Sequence, residues 1–299
     1  MNKILRYKSQ LIGLLSLTLL SLQTNEANAQ NNQYQWVKQI GGSAQDAGYG
    51  VATDSKGNVY ATGYFQNTGL IGIPTQYNDT IISKGNYEVF LTKMDKEGNL
   101  LWAHPIGGKS GDEGHAVTVD NEDNVIITGS YRDTVDFDPG QGVATFVSNN
   151  ASVDVFVAKY DSTGKYLWAQ TFGSTKLDRA YTVKTDQWNN VFITGQFYDT
   201  VAIPGLNQSL IAKPGGLVFT NDVFVCKLNA SGDFVWAKSF GDIDGDVGNG
   251  IATDLEGNVI ITGNFTGIVD FDLSNNVYEM NAADGSIFLT KWDSTGSFI

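Results

Sequence analysis

Four tryptophans set the terms for this chain: Trp36, Trp102, Trp168 and Trp236 recur at spacings of 66, 66 and 68 residues. Other motifs recur with them. An Asp follows each Trp after a Gly-containing stretch, at Asp46, Asp112, Asp178 and Asp246. Next come VATD, VTVD, VKTD and IATD, ending at Asp54, Asp120, Asp186 and Asp254. NVYATG, NVIITG, NVFITG and NVIITG then begin at Asn58, Asn124, Asn190 and Asn258. Agreement at so many fixed offsets means duplication, and a chain built of copies must bury its core between copies.

Each copy reads as two hairpins. GVATD-SKG-NVYATG is a pair of apolar runs around a short polar turn, and VFLTKM-DKEG-NLLWA is another. Two hairpins make a four-stranded antiparallel sheet that cannot cover both of its faces alone, so successive sheets must stack. Stacked radially, such sheets form a β-propeller. The expected fold is therefore all-β: propeller blades in four repeats of about 66 residues, over about 36–101, 102–167, 168–235 and 236–299. A linear β-solenoid fits less well because its repeats are much shorter. The composition agrees, with 12% aromatic residues, 34 Gly and only 17% charged residues. That balance excludes disorder and long helices.

The units resemble the bacterial SBBP, or seven-bladed beta-propeller, repeat. Its Asp-x-x-Gly-Asn-Val-x-x-Thr-Gly hairpin is matched by the segments above. Its second hairpin is matched by Asp154-Val155-Phe156-Val157-Ala158-Lys159-Tyr160 and Asp222-Val223-Phe224-Val225. Val135-Asp136-Phe137-Asp138 and Val269-Asp270-Phe271-Asp272 are similar to the mid-repeat element. The resemblance covers residues 36 to 299. It implies an exported or surface-attached bacterial propeller, often part of a larger protein, and it implies no particular activity.

Residues 1–29 read as a secretory signal peptide. Lys3, Arg6 and Lys8 precede a short apolar run from Leu11 to Leu22, and Ala27-Asn28-Ala29 suits a signal peptidase, leaving Gln30 first. An apolar run of this length does not span a bilayer, and no later segment could, so no transmembrane segment is expected. Removing Lys3, Arg6, Lys8 and Glu26 from 19 basic and 32 acidic residues leaves 16 and 31, a net charge of −15. That charge repels phosphate backbones, so nucleic acid is not an expected partner. The single Cys226 excludes an intramolecular disulfide. The final repeat reaches Gly296-Ser297-Phe298-Ile299 where the others continue to a Trp. The sequence thus points to an incomplete ring in the N-terminal part of a longer protein, prone to association through its ends. The rival reading is a closed four-bladed ring in which Tyr34 to Ile40 pairs with the strand around Phe288 to Asp293.

Recurrence also separates scaffold from site. Asp54, Asp120, Asp186 and Asp254 stand in hairpin turns, where carboxylates bond nearby N–H groups. Lys93, Lys159, Lys227 and Lys291 are expected to pair with structural acids, the Trp rings to pack between sheets, and Gly63, Gly129, Gly195 and Gly263 to sit where backbones crowd. Cys226 aligns with Thr92, Ala158 and Thr290, which reads as a packed strand position and not a catalytic thiol. His104 and His115 have no counterparts, and with one Cys they lack zinc-ligand spacing. No catalytic or cofactor-binding residue is identified. Asp242, Asp244 and Asp246 alternate as carboxylates do in calcium loops, although Val247 and Thr253 break the pattern at its sixth and twelfth positions. These three form a candidate calcium site; a solvated acidic loop is the alternative. The expected function is an exported, non-enzymatic interaction or cell-surface scaffold whose partner is a protein or glycan at the cell surface. The alternative is a propeller enzyme: a hydrolase or lyase acting on glycans, or a quinone-dependent dehydrogenase.

Overall fold

The computed structural model describes residues 35–299 except Ser43, 74–75 and 216–219; the expected signal peptide lies outside the described residues. Residues Trp36–Ile299 form one compact unit. It is built of antiparallel sheets, and among the described residues there is one short 3-10 turn, Asn149–Ala151, and no α-helix.

Each repeat folds as the hairpin signals require. In the six-stranded first sheet, Thr145–Val147 and Thr134–Asp136 of the second repeat stand outside a run of four, Leu100–Gly108, Glu88–Met94, Val59–Phe65 and Ala47–Thr53. The second sheet repeats this with Glu113–Val119, Val125–Arg132, Val153–Tyr160 and Tyr166–Phe172. The third uses Arg179–Thr185, Val191–Tyr198, Asn221–Leu228 and Phe234–Phe240. The register repeats as well: Lys93↔Trp102, Lys159↔Trp168 and Lys227↔Trp236. A Cβ on Gly63, Gly129, Gly195 or Gly263 would run into the carbonyl oxygen of the facing inner strand, which is why no side chain is tolerated there.

One expectation and one rival reading are corrected. The fourth sheet has three strands, not four: Val247–Thr253, Val259–Asp270 and Glu279–Trp292, plus the single bridge Trp292↔Phe298. In the other units the stretch after that bridge carries the Trp and supplies the fourth strand. The second correction concerns Gln39–Gly41. It pairs with Thr68–Ile73 and not with the strand around Phe288 to Asp293, as the closed four-bladed ring demands.

The core lies between sheets. Side chains of alternate parity along each third strand face opposite neighbours. Val89 and Leu91 pack with Val117 and Ile127 of the second sheet. Val155 and Val157 pack with Val183 and Ile193 of the third. Val223 and Val225 pack with Ile251 and Ile261 of the fourth. The inner strands Ala47–Thr53, Glu113–Val119, Arg179–Thr185 and Val247–Thr253 contact one another in sequence and line the inner side of the stack.

Candidate functional site

The recurring residues form the scaffold. Asp54 Oδ1 accepts N–H bonds from Lys56 and Asn58, and Asp120, Asp186 and Asp254 repeat the pattern. Lys93 pairs with Asp54 at 3.2 Å and Lys159 with Asp120 at 2.7 Å. Each of these lysines also reaches forward, to the carbonyl oxygens of Ser162 and Ala230. Lys227 donates to Ser294 O and lies over the Phe192 ring. Burial opposes ionisation of Asp54, but the bonds from Asn58, Lys93 and Lys56 win and bring its pKa down to about 2.

The Trp rings are junction pieces more than core. Trp236 is buried, whereas Trp36, Trp102 and Trp168 are half-buried. Each indole N–H donates to a carbonyl oxygen in the next hairpin turn: Lys96, Ser162, Ala230 and Ser294 in order. Each ring lies over that turn's Gly, namely Gly98, Gly164, Gly232 and Gly296, all at positive φ. Only Gly suits that backbone and leaves room for the ring.

A second recurring set of acids is held by backbone N–H groups. Burial pushes Asp112 up to about 7 and Asp178 and Asp246 up to about 6. Raised acids often mark active sites. Here each carboxylate is closed off and takes two backbone N–H groups, as Asp112 does from Gly108 and Arg132. They fix corners of the chain.

The candidate calcium loop divides its carboxylates. Asp246 accepts the N–H groups of Asp242 and Thr266, repeating the Asp112 pattern. Asp242 accepts the N–H of Ile268 and stands 3.9 Å from Lys213 Nζ, while Asp244 is exposed. Among the described residues no group of three or more His, Cys, Asp or Glu is arranged to hold a metal. Cys226 is fully buried, and that burial raises its thiol pKa. His104 stacks on Trp102 with ring centroids 4.8 Å apart, and burial lowers its pKa.

Sequence reasoning missed the inner strands. Tyr49, His115 and Tyr181 stand at one offset, three residues after Asp46, Asp112 and Asp178, where the fourth unit has Asn249. Their rings meet across sheet boundaries: Tyr49–His115 at 5.7 Å and His115–Tyr181 at 5.5 Å. Tyr64 and Tyr87 extend the row from Tyr49, at 5.9 Å and 4.9 Å. Tyr49 is exposed and Tyr87, His115 and Tyr181 are half-buried. His115 is held by Ala180 O at 2.7 Å and by Glu113 at 3.1 Å, and the His115 bond leads the causes that lower the Glu113 pKa. Burial raises the Tyr181 pKa, and the Arg179 charge opposes that rise. The signal was available as variation at a recurring offset: scaffold positions keep their residue, and this one does not.

Residues 35–64 match the family model described as SBBP, beta-propeller repeat. The chain carries an SBBP β-propeller repeat. The propeller is 27% identical over 237 residues to an uncharacterized WD repeat-containing protein, L264, of Acanthamoeba polyphaga mimivirus. That alignment covers 71% of this chain and 17% of the relative, so the chain spans about a sixth of that protein's length. Among solved structures, a protein of unknown function from Bacteroides caccae aligns over 86% of this chain and 81% of its own, at 11% identity and TM-score 0.39. No helix among the described residues is long and apolar enough to cross a membrane.

Proposed function

We propose that this propeller is an exported, non-enzymatic interaction scaffold whose contact surface is the row of Tyr49, His115 and Tyr181 along its inner strands. The row itself carries the reading: Tyr49, His115 and Tyr181 run in contact across three repeats at an offset where the repeats diverge, backed by the buried Tyr64. Tyrosine and arginine are the side chains that binding surfaces enrich, because they offer large rigid area with a polar tip. Arg179 and Glu113 supply charge of both signs beside the rings. The relative named for WD repeats supports a protein partner; the rings equally suit the apolar faces of a glycan at the cell surface.

The test is binding by the full protein and by a Tyr49→Ala/Tyr181→Ala variant to a glycan array and to envelope protein extracts. Both sites are at least partly open, so the variant should fold. A ligand retained by the native protein and lost from the variant supports the reading. A ligand retained equally by both, or turnover of any arrayed glycan, overturns it. Export is tested separately by expressing the chain from Met1 in a bacterial host. The mature protein is expected outside the cytoplasm with Gln30 as its first residue.

A further inference from the structure

Each junction between sheets brings the residue before the third strand's acid against the loop that leads into the next sheet. At the first junction the Tyr87 ring lies on Gly111, where a Cβ would stand 3.0 Å from it. At the third, Asn221 lies on Gly245 and its amide donates to Asp246 O at 2.6 Å. At the second, the equivalent pair is Val153 and Leu177, joined by a backbone bridge. Valine has neither the ring nor the amide to cross the gap, and an open cleft of about 580 Å³ remains there. That volume lies within the usual range of small-molecule sites, about 300–1,000 Å³.

The cleft also gathers positive charge in an acidic protein. Its lining includes Arg132 and Lys176 and no Asp or Glu, in a chain of net charge −13. Arg132 stands where the other repeats carry Gln66, Tyr198 and Thr266, and Lys176 where the other junctions carry Ser110 and Asp244. The Arg132 guanidinium forms no ion pair among the described residues. The adjacent carboxyls of Asp154 and Asp178 are already engaged by backbone N–H groups and by the Ser152 hydroxyl. Tyr198 in the lining is half-buried and Thr175 is exposed. One lip is strained backbone: Asn150 and Ala151 lie at φ 56° and 54°, and Ala151 lacks a glycine's freedom there. Strain of this kind gathers at ligand sites.

We propose that this cleft binds a saccharide bearing a carboxylate, a uronate. A guanidinium meets a carboxylate through two parallel N–H bonds, and Lys176 adds a point charge. The Tyr198 ring offers a flat apolar face to a sugar ring, while the Asn150 amide and Thr175 hydroxyl offer partners for sugar hydroxyls. None of Tyr49, His115 and Tyr181 lines the cleft, so its test is separate from that of the aromatic row.

The test is calorimetric titration of the full protein with oligogalacturonate, oligomannuronate and oligoglucuronate. The matching neutral oligosaccharides and inorganic phosphate are the controls. At least one uronate should bind and its neutral counterpart should not. Arg132→Gln/Lys176→Ser installs the residues of the first junction and should weaken binding about tenfold or more, the worth of a charge-assisted hydrogen bond. Arg132 is exposed and Lys176 half-buried, so this variant should keep the native melting temperature. Val153→Tyr/Leu177→Gly rebuilds the Tyr87–Gly111 contact and should abolish binding with both cations in place. Tyr49→Ala/Tyr181→Ala should bind uronate as the native protein does. Failure of every uronate to bind overturns the proposal, as does equal binding of the neutral sugars or full competition by phosphate. Native affinity in either folded cleft variant, or loss in the Tyr49/Tyr181 variant alone, also overturns it.

Discussion

Lys159 with Asp120, and Lys291 with Asp254, are the same ion pair drawn twice. The separations are 2.7 Å and 2.8 Å, and both carboxylates also hold an Asn side chain at the hairpin turn. Yet the Lys159 side chain is buried at the junction of second and third sheets, while that of Lys291 is 44% exposed on the fourth. The pair geometry is thus a property of one repeat. Its burial is a property of the neighbour, and so is most of its energetic weight.

The largest expected effect follows from that difference. Lys159→Met strands Asp120 as a buried charge and removes the bond to Ala230 O, and breaking a buried pair costs about 3–5 kcal/mol. Lys291→Met should cost a small fraction of that, because water screens the exposed partner. Chemical denaturation of both variants checks the ratio. Equal losses would mean that another element covers the Lys291 side chain in solution.

Leu91 and Leu289 allow a like-for-like comparison of packing. Leu91 is fully buried against the second sheet, and Leu→Ala there should cost about 2–5 kcal/mol. Leu289→Ala, at an exposed site, should fall within about 0.5 kcal/mol of the native protein. Melting temperatures measured on the dilute proteins are sufficient.

Acids separate junctions from the end face in a third way. At the head of the third strand stand Glu88, Asp154 and Asp222, and burial raises all three pKa values, that of Asp222 to about 7. Each faces a raised Asp of the next sheet, and the fourth counterpart is the exposed Ser286. Between about pH 4 and pH 7 the native state therefore holds more protons than the unfolded chain, whose carboxyls ionise near 3.8. Stability should fall as pH rises through that window, so the protein should melt higher at pH 5 than at pH 8. Asp222 Oδ1 has no hydrogen-bond partner among the described residues, so Asp222→Asn removes the titration without losing a bond at that atom. The slope should then flatten by up to one proton, about 1.4 kcal/mol per pH unit. Ser286→Asp should add no slope. The opposite limb comes from Asp54, whose stabilising bonds are lost as pH falls below about 4 toward 2.

Fold and site were legible to different degrees for one physical reason. Hairpins are local, so Asp-x-x-Gly-Asn turns and alternating apolar strands announce themselves in each repeat, as Asp54 and Gly63 show. Junctions are non-local but copied, so Lys93 and the Trp positions could be assigned to the scaffold from recurrence. The docking of Gln39–Gly41 on Thr68–Ile73 depends on which edge a strand meets, and strand composition does not encode that. The aromatic row escaped for the converse reason. Tyr49, His115 and Tyr181 are unlike residues whose contact is made by the stacking of sheets, so attention to invariant offsets passed over them.

The smallest expected effect concerns the position that faces backward along the stack. Thr92, Ala158, Cys226 and Thr290 are equivalent and all buried. Ala158 and Cys226 fill junctions without demanding a strong hydrogen bond, whereas the Thr92 and Thr290 hydroxyls have no partner among the described residues. A buried hydroxyl without a partner costs about 1–3 kcal/mol. Valine has nearly the shape of threonine and no such demand. Thr92→Val is therefore expected to stabilise the protein by about 1 kcal/mol, since part of the cost is already relieved by local adjustment. Cys226→Thr should destabilise it by a similar amount, because the second-to-third junction is fully closed and offers the new hydroxyl only the apolar cluster of Ala180, Val183 and Ile193. If Thr92→Val instead lowers the melting temperature, the Thr92 hydroxyl has a partner in solution and the expected relief is absent.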